Sequence, residues 1–273
     1  MENPLIIVIL VLALAAIGAF AGLIAGMLGI GGGIVIVPAL YHVQGILGIA
    51  EAPRMHLAVG TSLAVIVVTS LASLRAHWRL HAVDPALLRV YGPGVLAGVA
   101  AGTALAAVVS GAVLTAVFAA FALLAAANLA AGEPFRRFGD SMPGPAGSLA
   151  AGLTTGIVST MAGIGGGAMT VTMLTLYAVP IHMAVGTASA VGVLVSVPGA
   201  AGFAAIGWEA PHLPALSLGY VNLLGVAAIA PATAAMAPIG ARLAHRLPHK
   251  MLARVFALFL AVAAARMIWS LIG

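Results

Sequence analysis

Two runs of three consecutive glycines, at residues 31–33 and 165–167, are the strongest candidates for a binding site in the sequence. Glycines in a row are poor helix formers, because glycine gives the backbone more freedom than any other residue. Each run precedes about ten apolar residues, which would make a helix of about 15 Å, roughly half of a hydrocarbon core. The N–H groups and positive dipole end that start such a helix can bind an anion without a lysine or arginine.

Two interpretations of the glycine runs stay open, a broken helix and a plain turn between two spans. Unwound backbone at membrane depth is tolerated only where it is buried or lines a cavity. The broken-helix interpretation therefore predicts a small-anion site where two helix starts meet near the midplane. The candidate substrate-binding glycines are Gly29, Gly31, Gly32 and Gly33, with their counterparts Gly163, Gly165, Gly166 and Gly167.

A second motif, His-x-Ala-Val-Gly-Thr, begins at His56 and again at His182. Histidine titrates near neutrality, so these two side chains could couple protons to transport or contact the substrate. A histidine at a helix start near the membrane surface is the alternative interpretation. Hydroxyl groups beside the motifs could donate hydrogen bonds to substrate oxygens, although Ser and Thr in spans often bond their own backbone. These candidates are Thr61, Ser62, Thr187 and Ser189, and Arg54 is a candidate for gathering anions at the outer mouth.

The acidic residues all lie near predicted helix ends or loops. They are Glu2, Glu51, Asp84, Glu133, Asp140 and Glu209. No acid is then placed within the membrane to bind sodium or relay protons, which favours an anionic substrate over a cationic one. No HExxH, GxSxG or paired-acid pattern occurs, and no strand precedes the glycine runs as a dinucleotide site requires. We therefore expect a protein that is not an enzyme and has no metal site or cofactor.

The composition excludes a soluble fold. Hydrophobic residues make up 63% of the 273 residues and charged residues 6%, whereas a soluble domain carries about 25% charged residues. Lipid must cover most of the surface, so the bilayer is the expected partner and nucleic acid is not. The charge-free stretches have room for about ten helical segments, some of them short, broken or re-entrant. The fold class is all-α, a polytopic helical membrane protein, and the apolar stretch from Leu5 is expected to be a retained first span.

Motifs recur in the same order in two halves. The glycine motif of residues 18–33 returns at 152–167, and the motif of residues 56–62 returns at 182–188. A weaker pairing relates residues 93–121 to 231–259. We predict a first transmembrane repeat at 1–132, a cytoplasmic linker at 133–147 and a second transmembrane repeat at 148–273, each repeat with about five helical segments. Glycines spaced by four predict close helix packing: Gly18, Gly22 and Gly26 in the first half, and Gly152 and Gly156 in the second.

Basic residues indicate that the two repeats are inverted in the membrane. The loop before Pro93 carries three arginines, and its counterpart before Pro231 carries none around residues 208–214. With inverted halves, nine of the eleven basic residues fall inside, as the positive-inside rule requires. The two exceptions are Arg54 and Arg266. Both termini are then predicted in the periplasm.

The glycine motifs, the His-x-Ala-Val-Gly-Thr motifs and the basic run after Gly240 resemble those of the TauE/SafE family of sulfite and sulfonate exporters, which includes transporters of the 4-toluene sulfonate uptake permease type. The resemblance covers residues 5–272. It implies a multi-pass carrier in the bacterial inner membrane for sulfite, sulfoacetate or related anions, often linked to protons. The family positions map onto the glycines and histidines named above and onto the hydroxyls of Thr61, Ser62 and Thr187; Ala188 stands where the first half has Ser62.

Several alternatives stay open at the level of sequence. An anion channel and a membrane-complex subunit without its own substrate compete with a carrier that works by alternating access. The substrate, the direction of flux, the coupling ion and the oligomeric state, monomer or homodimer, are not fixed. It is also open whether segments 34–43 and 168–177 span the membrane or re-enter it.

Overall fold

The structure is a computed structural model that describes residues 4–28, 32–131, 139, 142–244 and 249–272. These residues form ten α-helices and one antiparallel hairpin. They are α1 (Pro4–Leu28), α2 (Gly33–Ile46), α3 (Glu51–Arg79), α4 (Pro85–Val108), α5 (Gly111–Ala131), α6 (Pro145–Ala162), α7 (Gly167–Leu176), α8 (Ile181–Ile206), β1 (Ser217–Leu218), β2 (Val221–Asn222), α9 (Leu223–Ala244) and α10 (His249–Ile272).

The fold class is confirmed as all-α and polytopic. Within the described residues, seven helices are long and apolar enough to cross a membrane: α1, α3, α4, α5, α8, α9 and α10. The prediction of short helices after the glycine motifs is also confirmed, since α2 has 14 residues and α7 has 10. Helix α2 is longer than the expected segment 34–43, because it continues to Ile46.

Large apolar side chains cover the outside of the helices. Leu12 is 63% exposed, Leu124 67%, Leu258 67% and Val108 81%. Leaving side chains of this size in water forfeits roughly 1.5–3 kcal/mol each relative to full burial. These helices therefore have the surface of a multi-pass membrane protein, whose outer face contacts lipid.

Glycines bring two helix pairs into backbone contact. Helix α1 packs along α9, where Gly22 lies against the backbone of Thr233. Helix α6 packs along α4, where Gly156 lies against the backbone of Val95. The prediction that the glycines spaced by four serve close packing is confirmed at Gly18, Gly22, Gly152 and Gly156, because a Cβ at any of them would meet a neighbouring backbone.

The central helices α3 and α8, which carry the duplicated His-x-Ala-Val-Gly-Thr motif, run antiparallel to each other. Near the start of α3, Gly60 faces Phe203 near the end of α8. Further along, the hydroxyl oxygens of Ser70 and Ser196 are 3.4 Å apart. Helices α1 and α9, by contrast, run parallel, as do α4 and α6, because contact positions rise together along both helices of each pair. Each half thus supplies a helix that packs along one from the other half.

The Gly156 contact gives a stability prediction. Gly156→Val adds a branched side chain where a Cβ already meets the backbone of α4, and overpacking of this kind costs about 1–3 kcal/mol. We expect the melting temperature in detergent to fall by about 5 °C or more, as measured by differential scanning fluorimetry.

Thr154→Val is the matched control, because Thr154 lies on the exposed face of the same helix. An unchanged melting temperature for Gly156→Val would contradict the backbone contact between α4 and α6.

Candidate functional site

The second glycine motif forms a buried, unwound corner between α6 and α7. Helix α6 ends where the N–H of Ile164 donates to the carbonyl of Ser159 at 3.1 Å. Gly163, Gly165 and Gly166 all have positive φ angles, of 69°, 67° and 76°, a conformation that costs other residues about 1–2 kcal/mol. The chain turns there and starts again as α7 at Gly167. We call residues 163–166 the second corner.

The first glycine motif is described only from Gly32 onward; Gly29 and Gly31 lie outside the described residues. Gly32 precedes α2 in a right-handed conformation with φ of −76°, and its carbonyl accepts the N–H groups of Val35 and Ile36 at 3.0 Å. Gly33 is the first residue of α2 and is buried. Both glycine motifs therefore lead directly into a helix N-terminus.

The start of α2 contacts the second corner directly. A Cβ built on Gly33 would lie 2.5 Å from the carbonyl oxygen of Gly163 and 2.9 Å from Cα of Ile164. The hydroxyl of Ser62 donates to that same carbonyl at 2.8 Å. The contact is closed in this conformation, because it has no room for a methyl group. The Gly163 carbonyl is thus held by protein groups from the first half.

The threonines of the duplicated motif anchor helix starts that belong to the opposite half. Thr61 accepts the backbone N–H of Asn222 at 2.9 Å, and Thr187 accepts that of Asp84 at 3.0 Å. Asp84 caps α4 and Asn222 accepts the N–H of Gly225 at the start of α9. These two hydroxyls hold the halves together through equivalent bonds.

The predicted serines also have protein partners. Ser62 donates to Gly163 as described, and Ser189 donates to the carbonyl of Gly186 in its own helix at 2.6 Å. All four hydroxyls predicted for substrate binding are therefore hydrogen-bonded within the protein in this conformation. Their geometry supports a role in positioning α3, α8 and the second corner.

The two motif histidines occupy unlike environments. His56 is buried, and its Nε2 lies 3.0 Å from the carbonyl oxygen of Ala106 near the end of α4. Its ring is 5.0 Å from the ring of Tyr220 in the loop before α9. His182 is exposed at the start of α8. Only His56 lies where the two halves meet.

The Arg54 side chain contacts residues of its own half. Its Nη2 donates to the carbonyl of Ile49 at 2.8 Å, and its guanidinium carbon lies 5.5 Å from the centre of the Tyr41 ring. The side chain is half-buried. It fixes the connection between α2 and α3, while its buried Nε has no hydrogen-bond partner.

Sequence analysis missed a group of buried hydroxyls beside the second corner. Tyr91 and Thr155 are hydrogen-bonded at 2.6 Å, Ser159 Oγ has no hydrogen-bond partner, and Thr170 Oγ1 has none of good geometry although it lies near the Tyr91 hydroxyl. We call these four residues the hydroxyl cluster, and all four are fully buried. The signal that could have found them is the comparison of the repeats, because each matching residue of the opposite half is apolar: Ile229 for Tyr91, Ala21 for Thr155, Ala25 for Ser159 and Ile36 for Thr170.

A separate apolar groove of about 400 Å³ opens between α1, α2 and α10. Its lining includes Phe20, Pro38 and Phe259, with His42 and Arg266 as its polar members. None of the residues predicted for the anion site lines it. The groove is thus a different feature from the corner between the glycine motifs.

Comparison with known proteins gives the family. The family described as "Sulfite exporter TauE/SafE" matches residues 14–267. A probable membrane transporter protein of Haemophilus influenzae is 32% identical, covering 92% of this chain and 95% of that protein. A probable membrane transporter protein of Bacillus subtilis, YunE, is 25% identical, covering 94% of this chain and 96% of that protein.

A probable membrane transporter protein of Methanocaldococcus jannaschii is 25% identical, covering 79% of this chain and 77% of that protein. No solved structure matches the chain. The family match spans both glycine motifs and both halves of the helix arrangement described above. The chain belongs to the TauE/SafE sulfite exporter family and is a multi-pass membrane protein of this family of transporters.

Proposed function

We propose that the protein is a secondary transporter that moves a small anion, sulfite or an organosulfonate such as sulfoacetate, across the bacterial inner membrane by alternating access. The observation that carries the proposal is the second corner, an unwound, buried stretch that ends in the N-terminus of α7 and contacts the other half. The free N–H groups there can bind an anion without a cationic side chain.

The charge distribution supports an anionic substrate. Among the residues whose burial is described, no Asp, Glu, Lys or Arg is buried. Glu51 and Glu209 are exposed, and Asp84 caps a helix. A cation in the interior would meet no compensating negative charge, whereas an anion would meet peptide dipoles at the start of α7.

The direction of the duplicated helices supports two inverted repeats, at 1–132 and 148–273. Helices α3 and α8 carry the same motif and run antiparallel, and the α1–α9 pairing has its equivalent in the α6–α4 pairing. Such halves can exchange conformations and open one site to either side in turn. The closed contact between Gly33 and Gly163 is the point at which α2 has to separate from the second corner.

The inverted arrangement makes a topology prediction. The chain has no cysteine, so single cysteines report position without background. Leu80 precedes α4 and Glu209 precedes α9. Both residues are exposed and lie in equivalent loops of the two halves, so each can be replaced by a single cysteine. We expect a membrane-impermeant maleimide to label Glu209→Cys in intact cells and Leu80→Cys only after lysis. Labelling of both loops from the same side would contradict inverted repeats.

The corner makes a transport prediction. We expect proteoliposomes that contain the wild-type protein to show counterflow of sulfite or sulfoacetate. A carrier reorients across the membrane faster with substrate bound than when empty, so anion on the opposite side stimulates uptake. Gly166→Ala should lower this exchange about tenfold or more, since a Cβ at positive φ costs about 1–2 kcal/mol and displaces the start of α7.

Gly48→Ala is the control for backbone strain, because Gly48 also has a positive φ, of 74°, but has no atom within 4 Å of a built Cβ. Flux without stimulation by anion on the opposite side would indicate a channel instead of a carrier. Wild-type exchange in Gly166→Ala would remove the second corner from the mechanism.

Proton coupling is part of the proposal, and His56 is the better placed of the two histidines because it is buried where the halves meet. An imidazole changes charge between about pH 5 and 8. We expect His56→Gln to flatten the dependence of anion uptake on pH between about 5.5 and 7.5. His77→Gln, later in the same helix, is the control. An unchanged pH profile in His56→Gln would exclude His56 as the coupling group.

A further inference from the structure

We infer that Ser159 and Thr170 bind the oxygen atoms of the transported anion at the N-terminus of α7, and that the equivalent positions of the first half do not. This inference rests on the proposed function and assigns its binding chemistry to particular side chains. It makes the two halves unequal in binding although they are alike in fold.

Ser159 lies in the last turn of α6, next to the second corner. Its Oγ is 3.7 Å from a Cβ built on Gly166, the residue that caps α7. The side chain is fully buried, and Oγ has no hydrogen-bond partner within the protein. Leaving a buried hydroxyl unpaired costs about 1–3 kcal/mol. A hydroxyl kept at this cost, beside a helix N-terminus, is placed to donate to a bound acceptor.

Thr170 supplies a second hydroxyl one turn into α7. It is fully buried, and its Oγ1 also has no hydrogen-bond partner of good geometry. Its backbone N–H donates to the carbonyl of Gly166 at 2.9 Å, which fixes the residue against the second corner. Thr170 is also within hydrogen-bonding reach of the Tyr91 hydroxyl, whose shorter hydrogen bond is to Thr155. The Tyr91–Thr155 hydrogen bond supports Thr170 from the side of α4 and α6.

The equivalent corner of the first half has hydrocarbon at these places. A Cβ built on Gly32 would lie 3.3 Å from Cδ1 of Ile36 and 3.6 Å from Cβ of Ala21. Ile36 stands where the second half has Thr170, and Ala25 stands where it has Ser159. Neither of these side chains can donate a hydrogen bond. Thr233, whose Cγ2 lies 3.7 Å from the Cβ built on Gly32, has a hydroxyl that already donates to the carbonyls of Gly18 and Ile229. Among the residues described there, the oxygen atoms of an anion therefore find an unpaired side-chain hydroxyl at the start of α7 and none at the start of α2.

The donors at the start of α7 are neutral hydroxyls and peptide N–H groups. They match an anion that presents several oxygen atoms, such as a sulfonate or sulfite, because each oxygen can accept more than one hydrogen bond. No cationic side chain is among these donors. The anion is therefore attracted by the helix dipole and by charge-assisted hydrogen bonds from the hydroxyl and N–H groups.

Binding to purified variants tests the inference. Radiolabelled sulfite and sulfoacetate are the probes, and the dissociation constant is measured in detergent by scintillation proximity. We expect Ser159→Ala and Thr170→Val to weaken binding about tenfold or more, equivalent to about 1.4 kcal/mol for a tenfold change. Ser159→Thr and Thr170→Ser keep the hydroxyl and should retain binding within about threefold of wild type.

Ile36→Val is the matched control for Thr170→Val, because it makes a similarly small change at the equivalent place of the first half. Thr154→Val is the control for Ser159→Ala on the exposed face of the same helix. Both should bind as wild type does. Equal weakening in Ile36→Val and Thr170→Val would overturn the asymmetry.

Two outcomes separate this inference from the proposed function. If the wild-type protein binds neither probe, the proposed function fails and the hydroxyl subsite fails with it. If the wild type binds and both hydroxyl-free variants bind equally well, the subsite alone is overturned. Melting temperatures of all variants establish that a loss of binding comes from a folded protein.

Discussion

Satisfying backbone polar groups inside a bilayer is the constraint on which the rest of this structure depends. Unwound peptide groups cannot face lipid, so the second corner has to be enclosed by protein. The first half provides that enclosure: Gly33 lies against the corner and Ser62 donates to its Gly163 carbonyl. A corner held in this way stays unwound, and the helix that follows it keeps an N-terminus with free N–H groups in the interior.

The two halves depend on each other for more than this contact. Thr61 and Thr187 each receive an N–H from the loop that starts a helix of the opposite half. Gly60 and Gly186 let those loops approach, since each faces a loop carbonyl. The Gly-Thr part of the duplicated motif thus works as a clamp between halves.

Sequence was sufficient for the features that follow from composition and local backbone preference. The lipid-covered surface, the short helices after the glycine runs and the close packing at Gly22 and Gly156 all follow from such patterns. The partners of Thr61 and Thr187 could not be predicted, because they lie 161 and 103 residues away in the other half. His56 is buried against the end of α4, whereas His182 is exposed. This difference depends on residues outside the motif. The hydroxyl cluster depends on three helices meeting, so no single stretch of sequence displays it.

The central claim is that the N-terminus of α7 binds the anion. The most direct measurement is a cryo-electron microscopy map of the wild-type protein saturated with sulfoacetate. We expect ligand density within hydrogen-bonding distance of the Gly167 or Ala168 N–H group and next to the Ser159 hydroxyl. Density in the apolar groove beside Arg266, with the second corner packed as it is here, would contradict it.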